Sequence, residues 1–282
     1  MKTMVKYVIS DSRPAYDSAQ RRSAALQELS ELFRYRHLVF QLVRRDIVTR
    51  YKRSVLGVAW TMISPLLTML ILTVVFSQIF KGTTAYAAYV LSGLIAWNFF
   101  AQTTNDSMDK VVWGGSLLKY VYLPRTVLPV ASMVAGLVNL LLALIPLALI
   151  LVVYRVRLGW PILLLPLPII LIGLFSLGVA LIVSTLAVYF PDVNPMYQII
   201  LMAWMYLTPV IYPWEILPQA LQNILLYINP MVPLVNLFRL AIYEGRFPVF
   251  GEVWPAILFS VGVLIVGWVL YTRKSSEFAH YV

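Results

Sequence analysis

The length of its apolar runs constrains this chain more than any other feature. Stretches such as 126–153, 161–190 and 252–272 match or exceed the roughly 20 helical residues that cross a hydrocarbon core of about 30 Å. Backbone in hydrocarbon must satisfy its own N–H and C=O groups, and a helix does so within one segment. The fold class is therefore an all-α membrane protein. Charged residues are 12% of the chain, about half the share in soluble domains. Spans are expected near 55–80, 86–105, 126–153, 161–190, 196–212 and 252–272. The stretch 213–251 is apolar too, but Pro218, Asn229–Pro230, Pro233, Arg239 and Glu244 interrupt it. Two short re-entrant helices are expected there, because buried protein tolerates broken backbone at membrane depth. That gives six spans.

Charge sets the orientation. Seventeen Lys and Arg fall at one end of the expected bundle, twelve of them in residues 1–54, and five at the other. Basic loops stay in the cytoplasm, so both termini are expected there. The net charge of +10 thus reports topology, and nucleic acid is not an expected partner. Residues 1–24 read as a polar tail without a signal-peptide core, 55–272 as the transmembrane domain, and 273–282 as a cytoplasmic tail. Between tail and first span, 25–54 reads as an amphipathic helix in the headgroup plane. Leu29, Phe33, Phe40, Val43, Ile47 and Tyr51 recur at helical spacing, though Arg36 intrudes on that face. The basic set Arg44, Arg45, Arg50, Lys52 and Arg53 would meet anionic membrane lipid. A solvated cytoplasmic helix is the alternative.

Catalytic groups are missing from the pattern. Cysteine is absent and histidine occurs only at His37 and His280, so no metal site is expected. No glycine precedes a lysine, which excludes a phosphate-cradling P-loop. The acidic residues avoid mid-span positions, which argues against a proton- or sodium-driven carrier. If the chain moves something uphill, the energy enters from another polypeptide. The loop 106–125 is a place for that entry. Val111, Val112, Trp113, Leu117, Leu118, Tyr120, Val121 and Tyr122 are a dense apolar set for a short loop, and fit a partner's groove. Aromatics resting on headgroups are the other reading.

The second span has two faces. Tyr86, Tyr89, Gly93, Trp97 and Phe100 share about a quarter of the circumference, and Asn98, Gln102, Asn105 and Asp109 lie nearly opposite. Amides facing lipid are costly, so the polar face should look into protein or a wet path. The aromatic face fits either an interfacial belt or a conduit in which sugar rings stack. The fifth span adds Tyr197, Trp204 and Thr208. It then breaks at Pro209 and Pro213, which with Tyr212 and Trp214 form a candidate outer gate.

Five segments in order resemble type 2 ABC exporter permeases for polysaccharides. They are R-R-D-I-V-T-R-Y-K-R-S-V-L-G-V-A-W-T-M-I-S-P (44–65), L-L-K-Y-V-Y-L-P-R-T-V-L-P (117–129), Y-F-P-D-V-N-P (189–195), L-T-P-V-I-Y-P (207–213) and N-P-M-V-P-L-V-N-L-F-R (229–239). The resemblance covers about residues 25–275. It implies a homodimer docked to two copies of a separate ATP-binding cassette ATPase, exporting a lipid-linked glycan of O-antigen, capsule or teichoic-acid type across the bacterial plasma membrane. ATP and magnesium would bind the partner, with no cofactor on this chain. By the same resemblance, Lys110, Trp113, Leu117, Leu118, Lys119 and Tyr120 match the coupling helix, and Asp192 the second cytoplasmic loop. Pro191 stands where the family more often has a basic residue, which leaves that loop's role open. The 214–247 segment matches the periplasmic gate helices. The match tips Tyr86, Tyr89, Trp97, Phe100, Tyr197 and Trp204 toward a substrate path. A drug or small-molecule permease of the same superfamily is the alternative within transport.

Overall fold

The computed structural model describes residues 24–52, 54–80, 85–113, 124–156 and 159–278, and among these every regular element is helical. Helices α1 (Ala24–Arg34) and α2 (Arg36–Tyr51) precede α3 (Ala59–Phe76) and α4 (Tyr86–Trp113). They are followed by α5 (Val127–Val153), α6 (Pro166–Tyr189) and α7 (Val193–Leu207). Two short helices come next, α8 (Gln219–Ile228) and α9 (Met231–Arg239), the latter prolonged by a π turn over Leu240–Glu244. The last is α10 (Phe250–Lys274).

Four of these are long and apolar enough to cross a membrane: α3, α5, α6 with the 3-10 turn before it, and α10. The pair α8 and α9 passes only when taken together, and it bends by 103°. Asn229–Pro230 accounts for the bend. Asn229 is extended and Pro230 has no N–H with which to continue α8. Helix α4 is the longest at 28 residues; its amides and acids dilute an otherwise apolar sequence. It runs eight residues past the expected end of its span. Helix α7 stops at Leu207 rather than near 212, because Thr208 turns extended before Pro209.

The expected interfacial helix 25–54 is broken at Tyr35 into α1 and α2, and its apolar residues split between two surfaces. Val39 and Val43 pack on Val127, Ala131 and Ala135 of α5. Phe33 and Phe40 are 67% and 69% exposed, and Leu29 is exposed as well. The single face is thus corrected: docking on α5 claims one strip and leaves the other bare. The side chain of Tyr51, all of Arg53, and the polar tail 1–23 lie outside the described residues.

Helix α4 forms the axis of the fold. Helices α3, α5, α6 and α9 pack around it, and nearly all of Tyr86–Phe100 is buried. Two glycines set a close approach elsewhere. Gly178 of α6 and Gly267 of α10 face each other so tightly that a Cβ on Gly178 would lie 2.7 Å from the backbone at Val263 and Leu264. Small residues at crossings are how helices gain contact where lipid removes the hydrophobic drive.

Candidate functional site

The functional groups sit on the two faces of α4 and at its two ends. At the end richest in Lys and Arg, Arg50 of α2 pairs with Asp106. Asp46 of the same helix accepts from Lys110 at 2.5 Å, and Lys110 also donates to Ser132 at 3.0 Å. On the other flank, Asn194 and Gln198 of α7 donate to Asp109 and Asn105, each at 2.9 Å. Half-exposed pairs of this kind contribute roughly 0–1 kcal/mol each. Their consequence is register, since α2, α4 and α7 are laced at one level.

Of the residues expected to couple to a partner, Trp113 closes α4 and is 78% exposed. Lys110 is instead turned to Asp46, its head occupied within the chain. Asp192 is exposed at the N-terminus of α7. Leu117, Leu118, Lys119 and Tyr120 lie outside the described residues. Arg44, Arg45, Arg50 and Lys52 are all exposed, and Arg50 is paired with Asp106.

Next to this end, Glu28 of α1 accepts from Thr126 Oγ1 at 2.8 Å. Burial holds the Glu28 carboxyl above its ordinary pKa. Tyr271 donates to the Arg125 carbonyl, Phe278 lies under the Arg125 guanidinium, and Tyr189 donates to Glu277 at 2.6 Å. The end of α10 thereby touches the residues that follow the 114–123 segment and those that precede Asp192.

The aromatic stripe, expected to line a path, is buried among the helices of this chain. Phe100 has no exposed surface, and Tyr86, Tyr89, Trp97 and Tyr197 are buried. Phe100 stacks on Phe175 with centroids 5.4 Å apart, and Trp204 meets Trp97, Phe100 and Phe175 edge-on at 5.2–6.4 Å. The half-buried Trp204 donates from Nε1 to Asn229 Oδ1 at 2.7 Å, and Tyr197 donates to Thr104 at 2.8 Å. The face is apolar because helices α6, α7 and α9 cover it. Leu at Trp97 or at Phe175 is therefore expected to cost similar stability, a few kcal/mol in either case. Melting curves of the purified variants check this, because a path residue alone would impair transport at unchanged stability.

The polar face opens on space. A cleft of about 500 Å³ lies between α3, α4 and α5, lined by Asn98, Gln102, Asn105 and Asn139 among others, with Arg50 and Ser54 at its basic end. Of the face expected to look into protein or a wet path, Asn98 and Gln102 border the cleft, whereas Asn105 and Asp109 are bonded to Gln198 and Asn194 of α7.

At the far end of α4 is a residue whose role the sequence did not disclose. Arg239 of α9 is only 2% exposed, and no carboxylate among the described residues pairs with it. Its Nη1 donates to Tyr89 Oη at 2.9 Å and to the Pro209 carbonyl, and Nη2 donates to the Val210 carbonyl at 2.8 Å. The guanidinium also lies 3.7 Å over the Tyr89 ring, a cation–π geometry strengthened by desolvation. Gly93 makes the space, since a Cβ there would overlap Arg239 Nη2. Asn229 completes the lock: it donates to Leu207 O and Thr208 Oγ1 and accepts from Trp204 and from the Met231 N–H. Of the residues expected to form a gate, Pro209 offers its carbonyl to Arg239. Tyr212 donates to Tyr206 O at 3.0 Å, Pro213 is buried, and Trp214 begins a 3-10 turn. The one available signal for Arg239 was an arginine closing an apolar helix without an acidic neighbour at helical spacing.

An all-helical bundle with several helices long and apolar enough to cross a membrane has the build of a multi-pass membrane protein. The chain belongs to the ABC-2 type transporter family, whose model matches residues 37–243. It is 29% identical over 252 residues to the O-antigen export system permease protein RfbA of Myxococcus xanthus, covering 88% of this chain and 96% of that one. To the protein of the same name from Klebsiella pneumoniae it is 27% identical over 249 residues, covering 86% and 93%. To the polysialic acid transport protein KpsM of Escherichia coli it is 26% identical over 250 residues, covering 83% and 92%.

Proposed function

We propose that this chain is the permease subunit of an ATP-driven exporter that moves a lipid-linked polysaccharide, of O-antigen or capsule type, across the bacterial plasma membrane. The observation that carries the reading is the end-to-end match to polysaccharide export permeases, which extends over more than nine-tenths of each relative's length. Two copies form the membrane unit, and two cassette ATPases dock on it. ATP and magnesium belong to those partners. Six crossings, by α3, α4, α5, α6, α7 and α10, leave α8 and α9 as a re-entrant pair on the outer side. The basic end faces the cytoplasm, with both termini.

Helix α4 suits energy transfer. At 28 residues it is about 42 Å long, with exposed Trp113 at the cytoplasmic end and the Arg239 lock at the other. A displacement imposed at Trp113 by a partner reaches Tyr89 without passing through a flexible joint. The lacing of α2 and α7 to α4 carries the same displacement to the neighbouring helices.

The test is association and coupling. Trp113→Ala with Leu117→Ala is expected to lower copurification of the ATPase and to separate hydrolysis from export, since truncating a buried anchor costs about 2 kcal/mol or more. Normal export at normal expression refutes the docking assignment. Orientation is checked in the same chain, which has no native cysteine. Ser116→Cys should be labelled only from the cytoplasm and Gly82→Cys only from outside.

A further inference from the structure

The cleft between α3, α4 and α5 has a chemistry that neither lipid nor a neighbouring helix of this chain satisfies. Asn98 and Gln102 stand one turn apart on α4 and face Asn139 of α5. None of these three amides makes a side-chain hydrogen bond to another described residue, whereas Asn105 one turn on is held by Gln198. A fourth polar group comes from α3. Pro65 has no N–H to give the Thr61 carbonyl, and both residues line the cleft. Leaving such groups against hydrocarbon is costly. Lipid tails are therefore poor occupants.

A second copy of the chain is no better. The bare surfaces of α3 and α7 are mainly aliphatic, with Leu70, Ile71 and Val74, and Ile199 and Met202; their exposed polar side chains are few, Ser64 and Thr68 on α3, and Tyr206 and the already bonded Gln198 on α7. A phosphate is disfavoured as well, because Arg50 at the mouth is already paired with Asp106 and the rest of the lining is uncharged. What remains is a neutral, hydroxyl-rich ligand. Amides give and accept in equal measure, as sugar hydroxyls do, and the half-exposed Trp60 ring at the wall offers a flat face. A volume of about 500 Å³ suits a short saccharide segment, within the range of about 300–1,000 Å³ for small-ligand sites. Asn98 lies about 22 Å along α4 from Trp113, so the cleft begins at the basic end and reaches inward.

We propose that this amide-lined cleft binds the uncharged sugar residues nearest the lipid anchor, an assignment that rests on the exporter reading above. Sugar enters past Ser54 and Arg50, and its hydroxyls replace water on Asn98, Gln102 and Asn139. The aromatic core behind the opposite face of α4 takes no part in it.

The test uses the permease–ATPase complex in lipid nanodiscs and two probes, a polyprenyl diphosphate carrying a neutral tetrasaccharide and the same lipid diphosphate without sugar. Retention of the glycosylated probe by the unmodified complex comes first; no retention overturns both the exporter reading and the cleft. Given retention, Asn98→Cys and Asn139→Cys are labelled with a charged, water-soluble thiol reagent. Both should react at least tenfold faster than Leu70→Cys on the bare face of α3, and the glycosylated probe alone should slow them. Asn98→Leu with Asn139→Leu should weaken retention about tenfold, the loss of one or two net hydrogen bonds. Equal protection by the bare lipid diphosphate, labelling no faster than at Leu70, or unchanged retention by the double Leu variant each overturns the cleft and leaves the exporter reading standing.

Discussion

Replacing Arg239 with methionine is expected to lower the melting midpoint of the purified protein by about 10 °C and to reduce its yield. The side chain fits the volume but donates nothing. Tyr89 Oη and the Val210 carbonyl then lose the guanidinium donor, and the Pro209 carbonyl keeps only the long 3.4 Å hydrogen bond from Tyr89 Oη; each buried acceptor so weakened or left unsatisfied costs about 1–3 kcal/mol. Even at the low end the sum is about 3 kcal/mol, and each kcal/mol moves the midpoint of a chain this size by about 2–4 °C. Lysine at 239 keeps the charge but loses the planar fork that reaches several oxygens at once, so it should recover only part of the loss. Gly93→Ala is expected to resemble Arg239→Met, because its Cβ displaces the same guanidinium. The double variant should then be little worse than either single one, the non-additivity expected of groups in contact. Additive losses in that cycle refute the view that Gly93 exists to seat Arg239.

The sequence makes some of this legible and hides the rest for physical reasons. Length and hydropathy disclose α3, α5, α6 and α10, because lipid imposes one requirement on every span. The opposition of Asn98 and Gln102 to Trp97 and Phe100 is legible too, since helical period alone separates them. Which face is filled by protein is not. Aromatic residues suit a core, a belt and a sugar conduit equally, and only the packing of Phe175 and Trp204 on Phe100 decides for the core. Arg239 is hidden for a related reason. Its partners are carbonyls of Pro209 and Val210, and a carbonyl has no residue type to recognise. The split of the amphipathic segment, with Val43 buried and Phe40 bare, depends on where α5 happens to stand. The partners of Lys110 and Arg50 are hidden because each pair crosses between helices, Lys110 to Asp46 and Arg50 to Asp106, whereas helical spacing sets Asp46 beside Arg50 and Asp106 beside Lys110.

The crossing of α6 and α10 gives the second large effect. Gly178→Val is expected to abolish recovery of monodisperse protein, and Gly267→Val to do the same. This is the most extensive helix–helix contact among the described residues, and within it the two backbones come close at the glycines. A Cβ at Gly178 would meet the Val263 carbonyl carbon and the Leu264 nitrogen at 2.7 Å, and one at Gly267 would overlap the Gly178 carbonyl oxygen. Those atoms are backbone, so no rotamer change relieves the collision. The helices must separate or slide, and dispersion contacts along the whole seam weaken with each fraction of an ångström gained. In a membrane there is little hydrophobic penalty to hold separated helices together, so the seam does not close again around the intrusion. Gly262, on the same helix, has nothing within 4 Å of a Cβ built on it, and Gly262→Val should leave recovery near that of the parent. Size-exclusion profiles of the three variants at matched expression make the comparison. Recovery of Gly178→Val equal to that of Gly262→Val refutes the close crossing, whereas loss confined to positions 178 and 267 supports the contact on which α10, and with it Tyr271 and Phe278 beneath Arg125, depends for its place.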